Sequence, residues 1–241
     1  MVLKPLRKLL WKNLYSIASN VAPSSSNWIS VDFNITGLTN RSQLGQIVLD
    51  STTGVAPSAF FVDNIYFYND GSIIPSTPTV AAPTPTVPAA NVISLFSNQY
   101  TNVPVDTWKT SWSAATLTDV TIAGNATKEY SNLDFVGIET VNNQIDATTM
   151  THIHIDVWSP NFTSFSLKLV DFGANAAFGG GDDTEHQVNF TAPSQGQWIS
   201  YDIPLSNFTG LTAKQHIAQY ILVAQPSGSA KVYIDNLYFH N

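Results

Sequence analysis

The sequence predicts an all-β protein: an antiparallel β-sandwich of jelly-roll type over residues 92–241, preceded by a truncated half-repeat of the same module. Three observations carry this expectation. From residue 92 onward, apolar and polar residues alternate with period two, and Asn, Gly, Pro and Asp punctuate the runs. Such alternation places one strand face in a core and the other in water. The end of the chain is also echoed near its start. Ala22 to Asp32, with Trp28-Ile29-Ser30, answers Ala192 to Asp202, with Trp198-Ile199-Ser200. Phe61-Val62-Asp63-Asn64-Ile65-Tyr66-Phe67 answers Tyr233-Ile234-Asp235-Asn236-Leu237-Tyr238-Phe239. A Pro/Thr stretch separates the two copies, as in modular proteins built from repeats.

Taken in order, residues 1–13 carry Lys4, Arg7, Lys8 and Lys12, and no acidic residue precedes Asp32. Lys8 and Lys12 interrupt the apolar part, which makes a poor signal peptide. The segment reads as non-native or unassigned, a cloning or gene-boundary stretch in preference to a native amphipathic helix. Residues 14–70 hold the C-terminal part of a sister module. Thr36-Gly37-Leu38 matches Thr209-Gly210-Leu211, and Gly45-Gln46-Ile47-Val48-Leu49 lines up with Ala218-Gln219-Tyr220-Ile221-Leu222. The runs Ile47-Val48-Leu49 and Ala59-Phe60-Phe61-Val62 lack the segments their sisters pair with. An unburied face is expected there, and with it docking onto residues 92–241 or self-association.

Residues 71–91 contain Pro75, Pro78, Pro83, Pro85 and Pro88 spaced by Thr, Ala and Val. Proline without a backbone donor favours extended polyproline II, so the segment reads as a semi-rigid tether. Residues 92–241 are long enough to bury a core of their own. The clearest strand is Thr151 to Trp158, with Ile153, Ile155 and Val157 on one face and His152, His154, Asp156 and Trp158 on the other. Further strands are expected at Phe162 to Asp171, His186 to Phe190, Trp198 to Ile203, Ala218 to Ala224 and Lys231 to Phe239. Gly173 to Asp183 reads as a loop, and Ser206 to Gln215 as holding one short helical turn.

Charged residues make up only 11 % of the chain, and the net charge is -7. That balance argues against nucleic acid and anionic membrane surfaces as partners. No run of about 18 apolar residues is present to cross a membrane. With no cysteine, stability outside a cell would rest on packing, and on a bound ion if one is present. The composition suits a protein that is secreted or held at a bacterial cell surface.

The stretch from Val92-Ile93-Ser94-Leu95-Phe96-Ser97, through Asp156-Val157-Trp158-Ser159-Pro160-Asn161, to Asp235-Asn236-Leu237-Tyr238-Phe239-His240-Asn241 resembles the non-catalytic carbohydrate-binding modules of secreted bacterial polysaccharidases. Laminarinase-type family 16 glycoside hydrolases carry such modules in tandem. The closing Asp-Asn-x-Tyr-Phe is similar to the last strand of calcium-binding jelly-roll modules. The resemblance implies non-catalytic polysaccharide binding that targets an enzyme or a cell surface to a β-glucan-like glycan. It also implies a structural Ca²⁺ on Asp235, and on Asp63 in the sister copy, with further oxygens from near Ser94 to Asn98.

The residues themselves supply candidates for such binding. A pyranose needs a flat aromatic face for its C–H side and polar groups for its hydroxyls. The row His152, His154, Asp156 and Trp158 offers both, the alternative being an outward face that is merely solvated or is covered by a loop. Trp108 and Trp112, at even spacing on a strand, would share a face; they would either grip successive sugars or place one or both rings in the core. Trp28 and Trp198 read as packing at sheet edges. Asp235 is flanked at the same parity by Tyr233, Leu237 and Phe239, so its carboxylate requires a partner, either the implied ion or backbone amides.

Two other classes of function stay open. One is an enzyme: a jelly-roll glycoside hydrolase or lyase, or a cupin-like metal enzyme using His152, His154, Asp156 and His186. The other is a structural spacer or adhesion repeat. No enzyme is the favoured reading. Asp134 and Glu139 fall on opposite faces of an extended strand, and Asp182, Asp183 and Glu185 sit in a Gly-rich loop that reads as a solvated turn rather than a second calcium loop. No nucleophile elbow or phosphate-binding Gly loop is present.

Overall fold

The structure is a computed structural model that describes residues 28–31, 33, 47, 61–67 and 74–241. The basic segment 1–13 and the Thr36-Gly37-Leu38 echo fall outside the described residues. The chain divides into two units, 1–67 and 68–241. In the first, Trp28, Phe61, Ile65 and Phe67 are exposed.

The described residues of the second unit form an antiparallel β-sandwich of nine strands. They are β1 (Val92–Phe96), β2 (Ala114–Ile122), β3 (Asn125–Glu139), β4 (His152–Trp158), β5 (Ser164–Asp171), β6 (Thr184–Thr191), β7 (Ile199–Pro204), β8 (Ile217–Gln225) and β9 (Ala230–His240). Among the described residues the helical segments are short 3-10 turns, and Leu205–Asn207 stands where a helical turn is expected. Hydrogen bonding runs in the order β6-β5-β8-β3-β9-β4-β7, with β1 on β9 and β2 on β3.

The sheet curls into two layers through β3. Its first half, Lys128 to Leu133, pairs with β9. Its second half, Phe135 to Glu139, pairs with β8. The change of partner follows an irregularity at Tyr130/Leu133, where Asn132 takes a left-handed φ of 52°. Asn tolerates that backbone because its short amide bonds locally, and the inserted residue bends the strand. The β2–β3 hairpin closes on Ala123 and Gly124, both at positive φ, the pairing a tight two-residue turn demands.

Ile153, Ile155 and Val157 are fully buried, as their alternation predicts. They pack with Phe165, Leu167, Leu169, Leu222, Val232, Ile234, Leu237 and Phe239 in one core between the layers.

The parity expected around Asp235 is corrected. Pairing of β9 with β4 slips between His154/Asp156, and Asn236 sits at φ 49°. This bulge adds one residue, so Ile234 and Leu237 both turn into the core. Asp235 therefore shares the outward face with Tyr233, Tyr238 and His240, not with Leu237 and Phe239. The same local geometry recurs in the first unit. Asn64 has φ 53°, and its N–H donates to Asp63 Oδ1 at 2.8 Å. Asn236 N–H donates to Asp235 Oδ1 at 2.7 Å. The repeated Asp-Asn pair thus encodes one local turn, which in β9 makes the bulge: Asn accepts the left-handed backbone and Asp caps its amide.

Candidate functional site

Each layer of the sandwich presents an outward face. On the β7-β4-β9 layer, the row read from the sequence does point away from the core, but it is largely covered. Trp158 is 2 % exposed and meets Tyr233 edge-on at 5.4 Å. This corrects the expectation of an open tryptophan platform. Residues 75–83 lie over this end of the sheet. A cleft of about 320 Å³ remains between Pro75, Val80 and Pro83 of that segment and Trp158, Gly196 and Trp198. The Pro/Thr stretch is therefore seated on the module along part of its length.

Asp156 is buried as well and accepts hydrogen bonds from Ser200 Oγ and Asn236 Nδ2. His154 stacks on Tyr238 with ring centroids 4.6 Å apart, and His152 stacks on His240 at 5.1 Å. Asp202 ties the row together, 2.7 Å from His240 Nε2 and 3.4 Å from His154 Nδ1. Burial works to raise the Asp202 carboxyl, yet hydrogen bonds and charge from His240 and His154 outweigh it and hold Asp202 below its ordinary value. The cupin-like set is not assembled. His186 lies on β6, where its Nδ1 accepts from Gly210 N–H and its ring meets Phe208. Among the described residues, no group of three or more His, Cys, Asp or Glu is placed to hold a metal.

Trp108 and Trp112 do not share a strand face, because residues 106–113 form turns along the edge of β3. Thr110 N–H bonds Gly137 O at 3.0 Å, and Asp106 N–H bonds Glu139 O at 2.9 Å. Trp108 turns toward the core edge, against Phe96, with Lys128 Nζ 4.8 Å over its ring. Trp112 turns the other way, onto the outward face of the second layer. It stacks beside Phe135 at an interplanar angle of 19° and is 44 % exposed. A Cβ at Gly137 would stand 2.0 Å from the Trp112 ring, so only glycine lets the indole lie flat on the sheet.

From that ring, cross-strand partners lead across four strands. Phe135, Val223, Ser166 and Asn189 form one row, and Gly137, Ile221, Lys168 and Gln187 the next. A third row runs Glu139, Gln219, Val170 and Glu185. Strand spacing makes the face about 14 Å wide from β3 to β6. Its polar groups are mutually held. Gln219 Nε2 donates to Glu139 at 2.9 Å, Lys168 pairs with Glu185 at 2.7 Å, and Ser166 Oγ donates to Asn189 at 2.9 Å. At one end, Phe172 supports Phe178 of the Gly-rich loop, which is 73 % exposed.

That loop holds three oxygens without partners. Asp182 Oδ2 accepts from Asn175 N–H, and Asp183 Oδ2 from Gly179 N–H. The other oxygen of each carboxylate and Thr184 Oγ1 are buried with no hydrogen bond. Hard oxygens of this kind suit a Ca²⁺ ion. Asp235 fits one less well. Both its oxygens face N–H donors, from Asn125 and Asn236. Burial, assisted by the Asp156 charge and opposed by the bonds from Asn236 and Asn125, pushes its carboxyl up to about 7.

The alternation in β4 located the covered row, and the even spacing of Trp108 and Trp112 flagged the exposed ring for the wrong reason. The sequence reading passed over Gly137, Lys168, Gln187 and Gln219. Only the alternation of β5 and β8 hinted at a second outward face.

No protein-family profile and no curated protein matches this sequence. Among solved structures, the chain is similar to the family 30 carbohydrate-binding module of a cellulosomal cellulase of Clostridium thermocellum. The identity is 12 %, the TM-score is 0.49, and 62 % of this chain and 97 % of that one are covered. A family 11 module of Clostridium thermocellum, in complex with a β-1,3-1,4-mixed-linked tetrasaccharide, matches at 15 % identity and TM-score 0.45, over 63 % of this chain and 96 % of that one. A family 29 module complexed with cellulohexaose matches at 12 % identity and TM-score 0.40, over 61 % and 89 %.

Proposed function

We propose that this chain binds a polysaccharide without cleaving it, on the outward face of the β6-β5-β8-β3 layer, with Trp112 as the stacking ring. One observation carries the reading: Trp112 lies flat over Gly137 with its ring open to solvent, at the head of rows of amides, hydroxyls and paired charges. A pyranose stacks its C–H side on such a ring while its hydroxyls meet polar side chains. Gln187, Asn189 and Lys168 supply both donors and acceptors for those hydroxyls. Phe178 offers a second open ring on the same face.

The glycan would be neutral and β-glucan-like. Lys168 is already paired with Glu185, and the chain is net acidic, so a polyanionic ligand is disfavoured. In this reading the module holds a secreted enzyme or a cell surface against its substrate. A structural Ca²⁺ in the loop of Asp182, Asp183 and Thr184 would fix the segment that carries Phe178. The exposed apolar residues of the first unit favour self-association of the half-repeat.

The test is affinity gel electrophoresis against a polysaccharide panel, with reducing ends measured in parallel. Retardation of the full chain, its loss in Trp112→Ala, and no release of reducing ends are expected. Release of sugar would replace the binding reading with an enzyme. Equal retardation of Trp112→Ala would move the site to another face, and no retardation on any glycan would favour a spacer repeat.

A further inference from the structure

We infer that the groove formed by Trp158, Trp198 and Tyr233 is a receptor for a Pro/Thr-rich segment, and that residues 74–88 are its ligand in cis. The contacts share one chemistry. Trp198 Nε1 donates to Val80 O at 2.9 Å, and Asn236 Nδ2 to Pro83 O at 2.9 Å. Tyr100 OH donates to Val87 O at 2.8 Å, and Tyr233 OH approaches Ser76 O at 3.5 Å. In all four the module offers a side-chain donor and the segment offers a main-chain carbonyl.

A proline-rich chain is poor in N–H groups but presents carbonyls along its length. Aromatic grooves that combine ring faces with such donors are the general solution for reading it. The segment also presents less exposed residues along its length. Pro75 is half-buried, Pro78 is buried, and Ala81 and Ala82 follow turned inward. The module makes room in turn. Gly196 has φ 73°, and a Cβ there would stand 2.9 Å from Ile74. The floor is Trp158, packed edge-on against Tyr233.

The segment is therefore a docked strap and not a free tether. The strap is held chiefly by side chains rather than by pairing into the sheet, so it is exchangeable for an equivalent segment. This assignment does not depend on any glycan bound beside Trp112.

The experiment uses the full chain with Ala82→Arg, which forces a long charged side chain into the buried strap position and leaves every strand intact. The probe is a fluorescein-labelled peptide of residues 74–88. It should bind the Ala82→Arg chain at least about tenfold more tightly than the wild-type chain, whose groove is filled. Adding Trp198→Phe, which keeps a ring and removes the Nε1 donor, should weaken that binding by about three- to tenfold, the net effect of losing one hydrogen bond. Acrylamide quenching of tryptophan should rise in Ala82→Arg as Trp158 is uncovered. Trp198→Phe alone in the full chain gives an independent reading: proteinase K should cut within residues 74–88 faster than in the wild type. No peptide binding to a folded Ala82→Arg chain, or equal binding to both chains, overturns the assignment. So does unchanged cleavage of Trp198→Phe.

Discussion

Replacing Asp235 by Asn should stabilise the module at neutral pH and leave it little changed in mild acid. Asp235 is 0 % exposed, faces the Asp156 carboxylate across the strand pair, and titrates at about 7 in the fold against 3.8 for an ordinary aspartate. A carboxyl raised in the folded state binds its proton more tightly there than in the unfolded chain. Its contribution is fully present below pH 4 and is lost as the pH climbs to about 7. At about 1.4 kcal/mol per pH unit, the interval is worth roughly 4 kcal/mol. For a unit of this size, that corresponds to a fall in Tm of about 10 °C between pH 4.5 and pH 7.5. Asp202 works in the opposite direction, because its lowered carboxyl loses stability only below the ordinary aspartate range. Asn at 235 keeps an oxygen for Asn236 N–H and carries no charge, and its amide N–H meets Asn125 once that side chain turns its oxygen inward. Differential scanning calorimetry of both chains, in chelator, decides the matter. The wild type should lose stability toward neutrality and Asp235→Asn should not. A wild-type Tm that is flat across this range, or a variant less stable than wild type at pH 7.5, refutes the reasoning.

Three further outcomes are expected. Gly137→Ala should lift Trp112 off the sheet, weaken glycan retention several-fold and cost about 1–2 kcal/mol of stability in urea unfolding, because its Cβ would overlap the indole. Asn236→Ala should cost about 2–3 kcal/mol in the same assay, since it strains a left-handed residue and removes the amide shared by Pro83 O and Asp156; Asn236→Gly should recover the backbone part alone. Calcium at 100 times its Kd should raise stability by about 2.7 kcal/mol, and Asp182→Asn should abolish the effect; an identical Tm in calcium and in chelator would remove the ion from the loop.

How far the sequence reaches differs from element to element. Alternation is local chemistry, so β4, β5, β8 and β9 were legible, and Ile153, Ile155 and Val157 entered the core as their spacing required. The echo of Asp63-Asn64 in Asp235-Asn236 was legible as a repeat but not as a bulge. Parity counting assumes one residue per pleat, and Asn236 adds an extra one. Residues 106–113 misled for a related reason: even spacing means a common face only on a strand, and this segment turns. Which outward face stays open was decided by tertiary structure alone. His152, His154, Asp156 and Trp158 have the polarity of a surface, but a segment some seventy residues earlier in the chain settles over Trp158 and bonds Asn236, the partner of Asp156. Trp112 is open because β3 crosses between layers and sets Gly137 beneath it. Period and composition record what each residue prefers nearby, while cover and exposure depend on which distant backbone arrives, and that is fixed only when the sheet has curled.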